Sequence, residues 1–171
     1  YPMMKRFLKA AGWWAGLFSV RRDRRRIWRF PFHFGDWTAP DTDVKGWLAR
    51  GRWVGTAYYA QSAGLMSRIA ALLGEKADAR RYERLRAEIA QAYRAVFTDG
   101  KGHVDKEFQT AYVLPLHFGM TEGAETEAMV DNLVRLIGDA GGHLSTGFPG
   151  TPFILFALSD NGRVDAAFDL L

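Results

Sequence analysis

The sequence predicts an all-α domain of antiparallel helical hairpins arranged in two concentric layers. Long segments repeat apolar residues at helical spacing, and helices apolar on one side alternate with helices apolar all round. Glycine-containing turns separate them. An inner set of helices buried by an outer set needs that alternation. The 171 residues fit one domain, residues 1–171, with apolar content ample for a core.

In chain order, Met3 to Leu17 places Met4, Phe7, Leu8, Ala11 and Trp14 at helical spacing, with Lys5, Arg6 and Lys9 on the other side. It reads as a first helix. Ile27 to Phe34, interrupted by Pro31, reads as an extended loop entering a Gly35-Asp36-Trp37 corner, and Ala39 to Asp43 carries turn chemistry. Trp53 to Leu73 is a long helix whose small residues Gly55, Ala57, Ala60, Ala63 and Gly64 would let another helix approach closely; Gly74 ends it. Lys76 to Phe97 is its partner, with Tyr82, Leu85, Ile89, Ala92, Tyr93 and Val96 on one stripe.

Thr98 to Gly102 is a loop, and Glu107 to Phe118 a nearly all-apolar helix that Pro115 can kink. After Gly119, Thr121 and Glu122 open an amphipathic helix, acid-rich at its start as the dipole prefers, and Asp139 to Gly142 breaks it. Gly142 to Pro152 is a second irregular stretch before a short apolar helix, Phe153 to Leu158, and a turn at Ser159 to Gly162. Ala166 to Leu171 stops on an apolar helical pattern, and the chain opens on Tyr1, so an incomplete piece of a larger domain is expected. A tetratricopeptide array is the competing arrangement, but the period is irregular and the repeat signature is missing.

Composition narrows the function classes. Six Trp, six Tyr and twelve Phe indicate an aromatic-rich core, a groove lined with rings, or both. Much of the net charge of +4 comes from the run Arg21-Arg22-Asp23-Arg24-Arg25-Arg26. With no second basic cluster interleaved with aromatics, it reads as a solvated turn, and no nucleic acid is expected as a partner. Cysteine is absent, which removes disulfides, thiolate nucleophiles and Cys-based metal sites. No apolar run reaches the roughly 18 residues that span a bilayer, and no membrane partner is expected.

Two irregular stretches would meet at one end of such a helical barrel. In the first, Asp36 could accept hydrogen bonds from vicinal hydroxyls while the indole of Trp37 covers the apolar face of a pyranose. The same pair also fits a structural corner, a buried indole beside a capping Asp. The second stretch runs from His143 to Thr151. Neither holds a triad signature, a phosphate loop or metal-spaced ligands, so neither cofactor nor metal is expected. His33, His103, His117 and His143 read as structural. Gln109 and Thr110, at an inner-helix start, suit either ligand contacts or helix capping.

Four segments in order carry a family resemblance: F-G-D-W-x-x-P at residues 34–40, T-A-Y-Y-A-Q-S-A-G-L-M-S-R-I-A-A-L-L-G-E-K-A-D-A-R-R-Y at 56–82, Q-T-A-Y-V-L-P-L-H-F-G at 109–119, and G-G-H-L-S-T-G-F-P-G-T-P with its continuation at 141–171. Together they resemble the catalytic domain of bacterial α-L-rhamnosidases, glycoside hydrolase family 78. That resemblance implies a partial (α/α)6 barrel of the six-hairpin glycosidase type and an inverting hydrolase of terminal α-L-rhamnose. Inversion uses two carboxyls about 6.5 to 9.5 Å apart, one as acid and one as base to a water. In the family the acid lies in a D-x-x-x-x-E-R-x-x-W-x-G-D type segment and the base in a W-E-R-W type segment. Neither is present in the 171 residues.

The resemblance therefore implies a fragment with sugar-contacting positions, no assigned catalytic residue and little activity alone. By resemblance Asp36 and Trp37 line the rhamnose subsite, with His143, Thr146 and Phe148 on a neighbouring loop. Gly141, Gly142, Gly147 and Gly150 equally suit a chain turning between packed helices. The expected partner is a rhamnose-containing glycoside or polysaccharide. Two further readings stay open: self-association through exposed apolar helix faces as a homo-oligomer, and another hydrolytic activity using Asp36, Asp105 or Glu107, for which no pair has a defensible spacing.

Overall fold

The computed structural model describes Arg6, Lys9, residues 26–29 and residues 32–171. The predicted first helix and the arginine run at 21–25 lie outside the described residues, except that Arg6 and Lys9 are helical. Seven α-helices follow: α1 (Val44–Ala49), α2 (Gly51–Leu72), α3 (Lys76–Phe97), α4 (Gln109–His117), α5 (Gly123–Asp139), α6 (Ile154–Ser159) and α7 (Val164–Asp169). A 3-10 turn, Thr151–Phe153, leads into α6. The pairs α2/α3, α4/α5 and α6/α7 form three hairpins, and α4 packs against both α2 and α6. These three make the inner layer, and α3, α5 and α7 lie outside it.

Burial follows the sequence pattern. Every residue of α4 from Gln109 to Leu116 is buried, while α3 and α5 bury one stripe each: Tyr82, Ile89, Ala90, Tyr93 and Phe97 on α3, and Met129, Val130, Leu133 and Ile137 on α5. One contiguous core joins α2 through α7. The proline within α4 has a specific consequence. Pro115 has no N–H to give the Ala111 carbonyl one turn earlier, and the hydroxyl of buried Tyr93, from α3, donates to that carbonyl at 3.1 Å instead. The outer helix completes a hydrogen bond that the inner helix lacks.

Three features differ from the expectation. Helix α1 follows the expected turn at Ala39 to Asp43, where no element was foreseen: Asp43 caps it, its side chain accepting from the Gly46 N–H at 2.9 Å, and none of its residues is buried. The small residues of α2 do not all face a helix. A Cβ on Gly55 would come within 2.7 Å of the Trp28 indole, so that glycine admits an aromatic ring from the entering segment. The loop before α4 closes on an antiparallel bridge between Thr98 and Val104, leaving Glu107 and Phe108 ahead of the helix.

Because the hairpins alternate in direction, the loops that precede α2, α4 and α6 share one end of the bundle. Residues 32–50, 98–108 and 140–150 form this rim. Among the described residues, no helix is long and apolar enough to cross a membrane, and no group of three or more His, Cys, Asp or Glu could hold a metal ion.

Candidate functional site

The two irregular loops meet as expected, and the residue that joins them is Asp36. Its side chain is 0% exposed. Oδ1 accepts from the Thr110 hydroxyl at 2.8 Å and from the Gly147 N–H at 3.0 Å, and Oδ2 accepts from Arg50 Nη1 at 3.1 Å. Arg50, buried over the ring of Phe108, also holds Asp41 through two bonds of 2.8 and 2.6 Å. Burial pushes the Asp36 carboxyl above its ordinary value, against the Thr110 hydroxyl, the Arg50 charge and the Gly147 amide, which all favour the ionised form. Burial alone would lower Arg50, but Asp41 and then Asp36 outweigh it and raise its value.

Close backbone approach makes this junction possible. Gly35 sits at φ +65°, where a Cβ would lie 1.7 Å from the Trp47 carbonyl oxygen, and the Asp36 N–H donates to that oxygen at 3.2 Å. Gly147 has ordinary φ but no room: a Cβ there would lie 2.3 Å from the Trp37 carbonyl oxygen. The next amide, Phe148 N–H, donates to the same Trp37 carbonyl at 3.0 Å. Thr38, directly after Trp37, is a non-glycine residue at φ +65°, and its hydroxyl donates to the Trp37 carbonyl at 2.6 Å.

Trp37 points away from Asp36 and is half-buried. Its ring joins an edge-to-face series, with Phe32 to Phe34 at 5.0 Å, Phe34 to Trp37 at 5.3 Å and Trp37 to Trp47 at 5.1 Å between centroids. Phe32, Phe34 and Phe148 are 55%, 54% and 60% exposed, so the rim presents aromatic faces to solvent. His143 is exposed nearby in sequence on the second loop, whereas Thr146 is buried and shares a 2.8 Å bond with the Thr151 hydroxyl.

Of the five expected sugar contacts, Trp37, His143 and Phe148 thus offer surface, and Asp36 and Thr146 do not. A hydroxyl could reach Asp36 only by displacing one of its three donors. Gln109 neither caps α4 nor reaches solvent: its Nε2 donates to the His143 carbonyl at 3.1 Å and its Oε1 accepts from the Ser145 N–H at 2.8 Å. Arg50 and Thr110 were not foreseen as partners of Asp36, nor Asp41 as the second partner of Arg50, because no spacing in the sequence links positions 36, 41, 50 and 110.

The two other carboxylates weighed as candidates, Asp105 and Glu107, are engaged. Asp105 accepts from the Trp53 indole at 2.8 Å, and Glu107 accepts from the Tyr112 hydroxyl at 2.9 Å and pairs with Arg135.

Comparison with known proteins agrees with this architecture. The alpha-L-rhamnosidase of Alteromonas sp. (strain LOR) is 39% identical over 145 residues, covering 81% of this chain and 16% of its own length. That of Streptomyces avermitilis is 40% identical over 139 residues, covering 81% and 13%. The crystal structure of the Streptomyces avermitilis alpha-L-rhamnosidase complexed with L-rhamnose superposes with a TM-score of 0.84 at 34% identity, over 98% of this chain and 16% of that one. The chain therefore spans 13–16% of the length of these relatives. The model of the bacterial alpha-L-rhamnosidase six-hairpin glycosidase domain matches residues 1–171. With a full-length match and three helical hairpins in two layers, the chain belongs to the six-hairpin glycosidase domain family of bacterial α-L-rhamnosidases.

Proposed function

We propose that this chain supplies one wall of the sugar subsite in an α-L-rhamnosidase catalytic domain. Terminal α-L-rhamnose, on a glycoside or a polysaccharide, stacks against Trp37 and meets Phe148 and His143 from the second loop. The observation that carries this reading is the 3.0 Å bond from Phe148 N–H to the Trp37 carbonyl, which ties two loops far apart in sequence into one aromatic rim. The relatives' activity, and the L-rhamnose bound to one of them, support the choice of sugar.

Hydrolysis with inversion requires an acid and a base that these 171 residues do not supply on this reading. Asp36 is enclosed, and Asp105 and Glu107 are held in pairs on the rim. The chain alone is then expected to turn over an aryl α-L-rhamnoside negligibly. A rate within about a hundredfold of ordinary enzymes, roughly 1 to 1000 per second, would overturn this. Sugar binding is tested separately by titrating L-rhamnose against the chain by NMR. Trp37→Ala should weaken binding roughly three- to tenfold, the worth of one stacked ring; unchanged affinity removes Trp37 from the site.

A second reading concerns association. On the last hairpin, Phe156, Phe168 and Leu171 are exposed. Exposed apolar side chains of this kind are covered when a helical face associates, and sedimentation at dilute concentration tests it; a well-behaved monomer counts against it.

A further inference from the structure

We infer that Asp36, with Thr110 and Arg50, is the positioning group of the rim: it sets the register of the two loops, and so how Trp37 and Phe148 face a ligand, without touching the ligand itself. Three donors converge on the carboxylate. Thr110 and Gly147 share Oδ1, and Arg50 takes Oδ2. Each donor comes from a different part of the rim: Arg50 joins α1 to α2, Thr110 opens the central inner helix, and Gly147 belongs to the second loop. The Asp36 side chain ties all three together.

The groups being positioned are its immediate neighbours. Trp37 follows Asp36, and Phe148 follows Gly147, so fixing Asp36 against the Gly147 amide fixes the backbone of both exposed rings at one point. The second bond, Phe148 N–H to the Trp37 carbonyl, makes the link two-stranded. There is no slack in the fit, because Gly150 lies so close to Thr110 that a Cβ would sit 2.6 Å from its hydroxyl oxygen. An amide cannot replace the carboxylate. In either orientation Asn would aim its NH2 at a donor, at Gly147 N–H in one case and at Arg50 in the other. Arg50 is in turn held by Asp41, which fixes the guanidinium that faces Asp36.

The consequence for ligand binding rests on the rhamnose reading above, and the test separates the two. The chain is labelled with 5-fluorotryptophan, and the Trp37 resonance is identified with Trp37→Phe. Thr110→Val removes the hydroxyl at constant shape, and Thr110→Ser keeps it. Thr110→Val is expected to move or broaden the Trp37 resonance and to weaken L-rhamnose binding roughly tenfold, the worth of a hydrogen bond to a charged group. Thr110→Ser is expected to restore both. A Trp37 resonance unmoved in folded Thr110→Val overturns the proposal, and lost binding with an unmoved resonance makes the Asp36 cluster a direct ligand instead. If the unaltered chain binds no L-rhamnose, the sugar reading fails while the resonance still decides the positioning role. If Thr110→Val does not fold, the Gly147 amide of the unaltered chain decides: a downfield shift and slow hydrogen exchange support the bond to Asp36, and rapid exchange overturns it.

Discussion

Asp36 and Trp37 are adjacent residues with opposite fates. The carboxylate turns inward to three donors and the indole turns outward to an edge-to-face row of rings. The turn that separates them depends on Gly35, which combines positive φ with a carbonyl oxygen where a side chain would begin. Gly35→Ala should lower the unfolding free energy by more than about 2 kcal/mol or abolish folding, measured by urea denaturation. A second residue-scale expectation concerns Tyr112. Burial, with help from the Glu107 carboxylate and against the Val104 N–H, raises its hydroxyl from 10.0 to about 12. A group whose folded value is raised stabilises below its unfolded value and loses that contribution as pH rises through the folded one. Stability should therefore fall between pH 10 and about 12, and Tyr112→Phe should flatten that fall in alkaline denaturation curves.

At the scale of the element, Pro115 and Tyr93 behave as a matched pair. Tyr93→Phe leaves the Ala111 carbonyl buried without a donor and should cost about 1 to 3 kcal/mol. Pro115→Ala gives that carbonyl an intrahelical N–H, so the same Tyr93 change should cost less in that background. A double-mutant cycle by chemical denaturation measures the difference, and a coupling near zero would show that the carbonyl does not link them. The long helices were legible because periodicity reports a face: Lys76–Phe97 has the bounds its stripe and flanking turns predict. Helix α1 was not, since six residues with none buried leave no stripe and only Asp43 marks the start. The meeting of the two loops followed from the alternation of hairpins. The direction of Asp36 did not, because its partners lie at positions 50, 110 and 147, and no local pattern records long-range contacts.

Across the whole molecule, the three hairpins share one core and the rim loops sit on its end. The Asp36 bond to Gly147 spans 111 residues of chain, and the bond to Thr110 spans 74. Contacts of such separation cost loop-closure entropy unless the intervening chain is already folded. The rim is then expected to form last, after the hairpins have packed. Thr110→Val, which removes only a rim bond, should speed unfolding and leave refolding unchanged in stopped-flow kinetics; an equal slowing of refolding would place the rim in the folding nucleus. A late-closing rim also means that this surface reports on the completeness of everything beneath it. On that expectation the aromatic faces come into register only on a chain whose hairpins have all folded, so a misfolded copy lacks the surface proposed to meet the sugar.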